Sequence, residues 1–350
     1  MKTISSGNFF EDFSVGQKIV HATPRTVTSG DVALYQGLYG SRFALQSADT
    51  IAQVMGYERS PIDDLLTFHI VFGKTVPDIS LNAVANLGYA DCRFLKPVFV
   101  GDTLRAETEI IGLKENSNGQ TGVVYVRSRG FDQTGTEVLT FIRWVMVRKS
   151  DVTAPTPEPI VPDLPEMVAP SALALDAIPK RISEIDPGLT GSAAFWGDYE
   201  VGDRIDHIDG FTLEEAEHQV ATRLYQNMAK VHFNQHAAND GRFKRRLVYG
   251  GVIISMARAI SFNGLGNVFQ IAAINSGQHV APAFAGDTVY AWSEILDKQR
   301  LAQRDDLGVL RVRLVATKDR GCAGFPRHDE TGRPEESVIL EFDFWGLVAL

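Results

Sequence analysis

The sequence predicts an α+β protein in which one unit is used twice, and three observations carry that prediction. Two segments near the start return in the same order in the second half. "FFEDFSVGQKI" at 9–19 reappears as "FWGDYEVGDRI" at 195–205, and "KPVFVGDTL" at 96–104 as "APAFAGDTV" at 281–289, each separated by about 185 residues. Each half carries one strongly apolar helical stretch followed by long strand-like runs. Between the halves, residues 150–191 hold eight of the chain's fifteen prolines. Each proline removes a backbone donor and fixes φ, so this stretch should be an extended connector.

The elements follow in the same order in both halves. A Val-Gly turn opens each copy and a region of helical character comes next. The apolar helix of the first copy is "DDLLTFHIVFGKTV", whose acidic start suits the helix dipole. Its counterpart is "YGGVIISMARAISFNG" at 249–264, opened by paired glycines and stopped by Asn-Gly. Strands are expected over "VVYVRSRGF" and "TFIRWVMV" in the first copy and over "VLRVRLVAT" and "VILEFDFWGLV" in the second. A buried helix followed by long antiparallel strands is the plan in which a curved sheet wraps a helix. The expected fold is therefore a tandem (double) hot-dog, with two long antiparallel sheets each wrapping a central helix and paired edge to edge within one polypeptide. The boundaries are 1–150 for the first repeat, 151–194 for the connector and 195–350 for the second repeat.

The 350 residues suffice for two cores. With 44% hydrophobic and 22% charged residues the chain has a globular composition, and a formal net charge of -9 argues against a nucleic-acid-binding surface. Two cysteines, Cys92 and Cys322, exclude a disulfide framework and suit a reduced, cytoplasmic setting. No secretory leader and no membrane-spanning run is found, so a soluble protein without a membrane partner is expected. Neither a nucleotide-binding glycine motif nor a Cys/His metal set stands out, and no bound cofactor is expected. A duplicated chain already supplies a two-unit assembly, so a monomer is reasonable and a homo-oligomer equally compatible.

The chemistry is sought in "YQNMAKVHFN", where Asn227 precedes His232 by five residues. His232, between Val231 and Phe233, has a bland reading as a hydrogen-bonded structural residue. Its functional reading is a neutral imidazole held at one nitrogen and free to activate water at the other. Gly250 and Gly251 stand at the start of the second apolar helix, where unpaired N–H groups stabilise negative charge. They would serve equally for close helix packing. A base beside an amide-lined anion site is what enolate chemistry on a thioester needs.

"NMAKVH" at 227–232 and "VYGG" at 248–251 resemble the D-x-N-P-I-H segment and helix start of MaoC-like, R-specific enoyl-CoA hydratases. The resemblance places His232 on the catalytic histidine and Asn227 on the family's aspartate. Tyr249 falls where that family has histidine. An amide cannot deliver a proton, so His232 acts alone or another acid serves, with Asp240 and His236 nearest in sequence. The first copy has Gly37 and Arg42 roughly opposite Asn227 and His232, so its site is expected to be degenerate. His69, inside the first apolar helix, reads as structural.

Over nearly its whole length the chain is similar to the double hot-dog branch of mesaconyl-CoA (2-methylfumaryl-CoA) hydratases, also called β-methylmalyl-CoA dehydratases. That similarity rests on the stretch at 9–49, "QNMAKVHFNQH" and "RLVYGGVIISMARAISFNGLGN". It implies reversible addition of water to 2-methylfumaryl-CoA. Such a substrate ends in a carboxylate, so the pocket should offer a cation. Arg258 is the first choice, with Lys230, Arg245 and Tyr249 as further substrate-binding candidates. The cluster "RFKRR" at 242–246 suits either a solvated turn or CoA phosphates. An acyl-CoA thioesterase and a non-catalytic acyl-CoA-binding protein are the alternatives.

Overall fold

A computed structural model describes residues 5–302 and 304–350. Eleven strands carry the fold. In the first half they are β1 (Lys18–Val20), β2 (Arg25–Thr26), β3 (Ala83–Phe94), β4 (Thr103–Glu115), β5 (Thr121–Phe131) and β6 (Glu137–Arg148). In the second they are β7 (Arg204–Thr212), β8 (Gln270–His279), β9 (Thr288–Arg300), β10 (Leu307–Lys318) and β11 (Val338–Ala349). The strand order is β1-β4-β5-β6-β3-β8-β11-β10-β9-β7, with β2 beside β4. Read outward from the middle, each half repeats the other.

The two sheets expected from the sequence are thus continuous. They meet where β3 and β8 pair antiparallel, Tyr89 opposite Gly277 and Cys92 opposite Ile274. This seam gives both inner strands a partner and leaves no open edge in the middle of the molecule.

The repeated motifs form the same local structures in each copy for the same physical reasons. Phe9 and Phe195 donate their N–H groups to Asp12 and Asp198, both at 2.8 Å, which closes the opening turn. Gly101 and Gly286 adopt φ of 98° and 97°, a region that costs glycine little, and donate to Val27 O and Leu213 O at 2.8 Å.

One central helix, Asp64–Ile79, is buried along nearly its full length against the first half of the sheet. The other, Gly250–Ile260, is likewise buried, and its continuation breaks at Asn263 and Gly264 where the Asn-Gly stop stands. The two helices share one hydrophobic core. Ser255 of the second bridges to the first half, with its hydroxyl 2.9 Å from both His69 Nε2 and Tyr35 OH. The proline-rich stretch lies in extended segments and short turns. Its Val168, Leu173, Leu175 and Ile178 cover Trp345 and Leu347 on the face of β11 turned away from the helices. No helix among the described residues is long and apolar enough to cross a membrane.

Candidate active site

The Asn-His segment belongs to the second half but is fixed by the first. It follows a helix, Glu215–Leu224, whose end is tied down by Arg25, which donates to the Leu224 carbonyl. Tyr225 OH meets Tyr39 OH at 2.7 Å. Gly73 of the first central helix packs so closely on this backbone that an added Cβ would lie 1.8 Å from Tyr225 O. The chain then reverses through Gln226, at φ 54°, and Asn227 N returns to Thr222 O at 3.1 Å. Asn227 is buried, and its Oδ1 accepts from Ala229 N at 3.1 Å. Its Nδ2 has no protein partner among the described residues.

A single 3-10 turn, Lys230–His232, carries the imidazole into place. His232 Nδ1 lies 3.1 Å from Leu247 O. A carbonyl only accepts, so Nδ1 carries the hydrogen and the neutral ring keeps its lone pair on Nε2. Burial pushes the imidazole down to about 4, despite the opposing carbonyl bond. At neutral pH the ring is therefore uncharged and able to accept a proton.

The second central helix begins beside it. Tyr249 is the N-cap and offers no side-chain cap, and neither Gly250 N–H nor Gly251 N–H meets an acceptor among the described residues. The glycines are also required sterically. A Cβ on Gly250 would lie 2.3 Å from the His279 ring, and one on Gly251 2.3 Å from Tyr249 and 2.6 Å from His69. Both readings of the pair, open amides and close packing, hold at once.

A cavity of about 270 Å³ unites these groups. Asn227, His232, Tyr249 and Gly250 line it from the second half, and Phe72, Tyr89 and Arg143 from the first. Asn227 also lines a second, larger cleft that carries Lys74, Arg223 and Arg246. Asn227 and His232 share the cavity wall but do not bond to each other.

Other expected site residues fall elsewhere. Arg258 does not line the cavity. It is buried under its own helix, donating to Ser261 Oγ and Val268 O and stacked 3.6 Å from the Phe43 ring centroid. The reason is helical phase, since its position turns toward the apolar core. Lys230 is exposed and outside the cavity lining, and Arg245 lies over Phe284 and donates to Ala285 O. His236 and Asp240 are exposed and away from the cavity. His69 is enclosed by Ser255, Tyr225 and Tyr249.

Sequence reasoning missed two residues here. His279, at the end of β8, sits against Gly250 and within 3.2 Å of Tyr89 OH, with its ring pushed down to about 4 by burial. Arg143 is the cavity's cation. Its signal was present, because alternation in β6 puts it on the inward face with Phe141 and Val145.

Over 340 residues the chain is 61% identical to a β-methylmalyl-CoA dehydratase of Chloroflexus aurantiacus, covering 97% of this chain and 96% of the relative. The chain belongs to the mesaconyl-CoA hydratase family. A mesaconyl-CoA hydratase of Cereibacter sphaeroides is 56% identical over 99% of both chains, and the family model of mesaconyl-CoA hydratase matches residues 1–158. Among solved structures, a MaoC domain protein of Chloroflexus aurantiacus superposes with a TM-score of 0.96 at 58% identity, over 100% of this chain and 99% of that one. A Mycobacterium tuberculosis protein with a double hotdog fold gives 0.74 at 26% identity, over 98% and 99%. The hydratase family's fold is thus the double hot-dog.

Proposed function

We propose that this protein is a hydro-lyase that reversibly adds water to 2-methylfumaryl-CoA to give 2-methylmalyl-CoA. The observation that carries the reading is the meeting, in one cavity, of a neutral His232 with a free Nε2 and the unpartnered N–H of Gly250 at a helix start, with the unpartnered Gly251 N–H next to it outside the lining. The relatives named above add the substrate class, a branched dicarboxylic CoA thioester.

In the proposed reaction the thioester oxygen accepts from Gly250 or Gly251 N–H. His232 Nε2 takes a proton from water as the water oxygen bonds to C3, and the π electrons move to the thioester as an enolate. Protonated His232 then returns the proton to C2 from the same face. Asn227 holds the water through Nδ2, since its Oδ1 is occupied. The basic cleft beyond Asn227, with Lys74, Arg223 and Arg246, suits the CoA phosphates. In this reading the first half has no chemistry of its own. Where the second helix leaves its first amides open, Asp63 caps the first helix by accepting from Leu65 N at 2.8 Å.

The test follows enoyl-thioester absorbance with 2-methylfumaryl-CoA and with crotonyl-CoA, alongside a thiol assay. Loss of absorbance without thiol release, faster for the dicarboxylic ester, is expected. Thiol release would assign a thioesterase instead, and binding without turnover a non-catalytic acyl-CoA-binding protein.

A further inference from the structure

Arg143 is fully buried on the inner face of β6, yet its guanidinium meets no carboxylate within 4 Å among the described residues. Only neutral groups hold it. Thr75 Oγ1 is at 2.8 Å from one terminal nitrogen, whereas Ser80 Oγ and Asn86 Oδ1 are at 3.3–3.4 Å, longer than a well-formed bond. Among the described residues its Nε has no protein partner, and neither has the buried Nδ2 of Asn86 beside it. Both residues line the cavity that holds His232 and Gly250. One wall of that cavity therefore presents a buried positive charge and two orphan donors, an arrangement that is costly without an anion.

The duplication says what is missing. Arg143 precedes Trp144 and faces Tyr89 across the ladder, and at the matching place in the second half Phe344 precedes Trp345 and faces Ile274. Arg143 stacks on Phe72 at 4.2 Å, and Phe344 stacks on Arg258 at 5.6 Å. Phe72 and Arg258 hold the same position in their helices, eight residues after Asp64 and Gly250. The two halves thus contain the same Arg-Phe pair with the members exchanged. Around Arg258 the start of the first central helix brings two carboxyl groups near, those of Asp63 and Asp64, without a direct ion pair among the described residues. Around Arg143 the start of the second central helix offers Tyr249 and Gly250, and no carboxylate.

We infer that Arg143, with Asn86, binds the free carboxylate of the acyl group and so selects dicarboxylic thioesters. This rests on the reading that the cavity takes a CoA thioester. The substrate's carboxylate takes the place near Arg143 that the carboxyl groups of Asp63 and Asp64 take near Arg258 in the other half. The anion replaces the long contacts to Ser80 and Asn86 Oδ1 and accepts from the orphan donors. One half thereby provides the selection and the other the base.

The test measures binding by calorimetry, using two saturated thioesters that cannot be hydrated. These are 2-methylsuccinyl-CoA and its uncharged counterpart 2-methylbutyryl-CoA. Wild-type protein should prefer the dicarboxylic ester by on the order of 10- to 100-fold, the worth of a hydrogen-bonded charge. Arg143→Leu should abolish that preference and Arg143→Lys restore part of it. Should Arg143→Leu not fold, Asn86→Asp provides the second reading, since an internal carboxylate beside Arg143 should remove the preference in the same way. A wild type without preference, or a folded variant that keeps it, would overturn the assignment. Failure of wild-type protein to hydrate either enoyl ester would instead count against the proposed reaction and leave this binding result standing.

Discussion

At the scale of single residues, the tautomer of His232 decides what the site can do. Leu247 O takes the Nδ1 hydrogen, so the lone pair is left on the other nitrogen. A positioned general base contributes ~10²- to 10⁴-fold, and His232→Ala should lower kcat for hydration by that order. The protein should remain folded, because the half-buried ring loses only one hydrogen bond, worth about 1 kcal/mol. Wild-type rates in that variant would remove the histidine from the mechanism. The imidazole is held down to about 4, so it accepts a proton above that value and is blocked below it. The acid limb of kcat/KM should therefore lie well below the ordinary histidine range, and a limb near 6.5 would contradict this environment. The Asn-His spacing was legible in the sequence because both residues lie on one short stretch of chain. Arg143 and His279 were not read, because each reaches the cavity from a strand far along the chain from the Asn-His segment. The choice of Arg258 failed for a related reason. Nearness in sequence to the glycine pair says nothing about which side of a buried helix a guanidinium faces.

At the scale of elements, the start of the second central helix joins two demands in two residues. Its first amides are uncapped, and its backbone is approached by His279 on one side and by Tyr249 and His69 on the other. Gly250→Ala would push a methyl into the His279 ring, and overpacking of this kind costs about 1–3 kcal/mol. The expected outcome on the proposed reading is a lower Tm together with a fall in kcat larger than any change in KM, since the amide assigned to the thioester oxygen would shift while the cleft assigned to CoA would not. An unaltered kcat in a correctly folded Gly250→Ala protein would show that this amide does not hold the thioester oxygen. The two central helices and the strands β5, β6, β10 and β11 were legible from periodicity, and the opening Val-Gly turn from its repetition, whereas β3, β4, β8 and β9 were not singled out. The edge-to-edge union of the two sheets was expected from the hot-dog plan and not from the strand pattern. Alternation within a strand specifies its faces, but its neighbour at the edge is chosen by backbone hydrogen bonds that any residue can make.

At the scale of the whole molecule, buried ionisable groups set the response to pH. Burial pushes His69 down to about 3, and His207, His232 and His279 to about 4. Between these values and the ordinary 6.5 the unfolded chain binds more protons than the folded one, so stability falls as pH falls through this window. Asp64, raised to about 7, and Asp63, also raised by burial, act in the opposite sense. The histidines outnumber them, and thermal unfolding should show a declining Tm from about pH 6.5 toward 4. A flat or rising profile would mean that the rings are not held neutral. The duplication itself was plain in the sequence, whereas the exchange of Arg and Phe between the halves emerged only from strand register. The seam between β3 and β8 has one more consequence. Because a backbone ladder locks the two halves together, the gap between the guanidinium of one and the imidazole of the other cannot open or close freely. On the proposed reading it works as a caliper. An acyl chain longer by one methylene would have to fold back on itself to touch both jaws, so discrimination by length would come from the architecture rather than from any single contact.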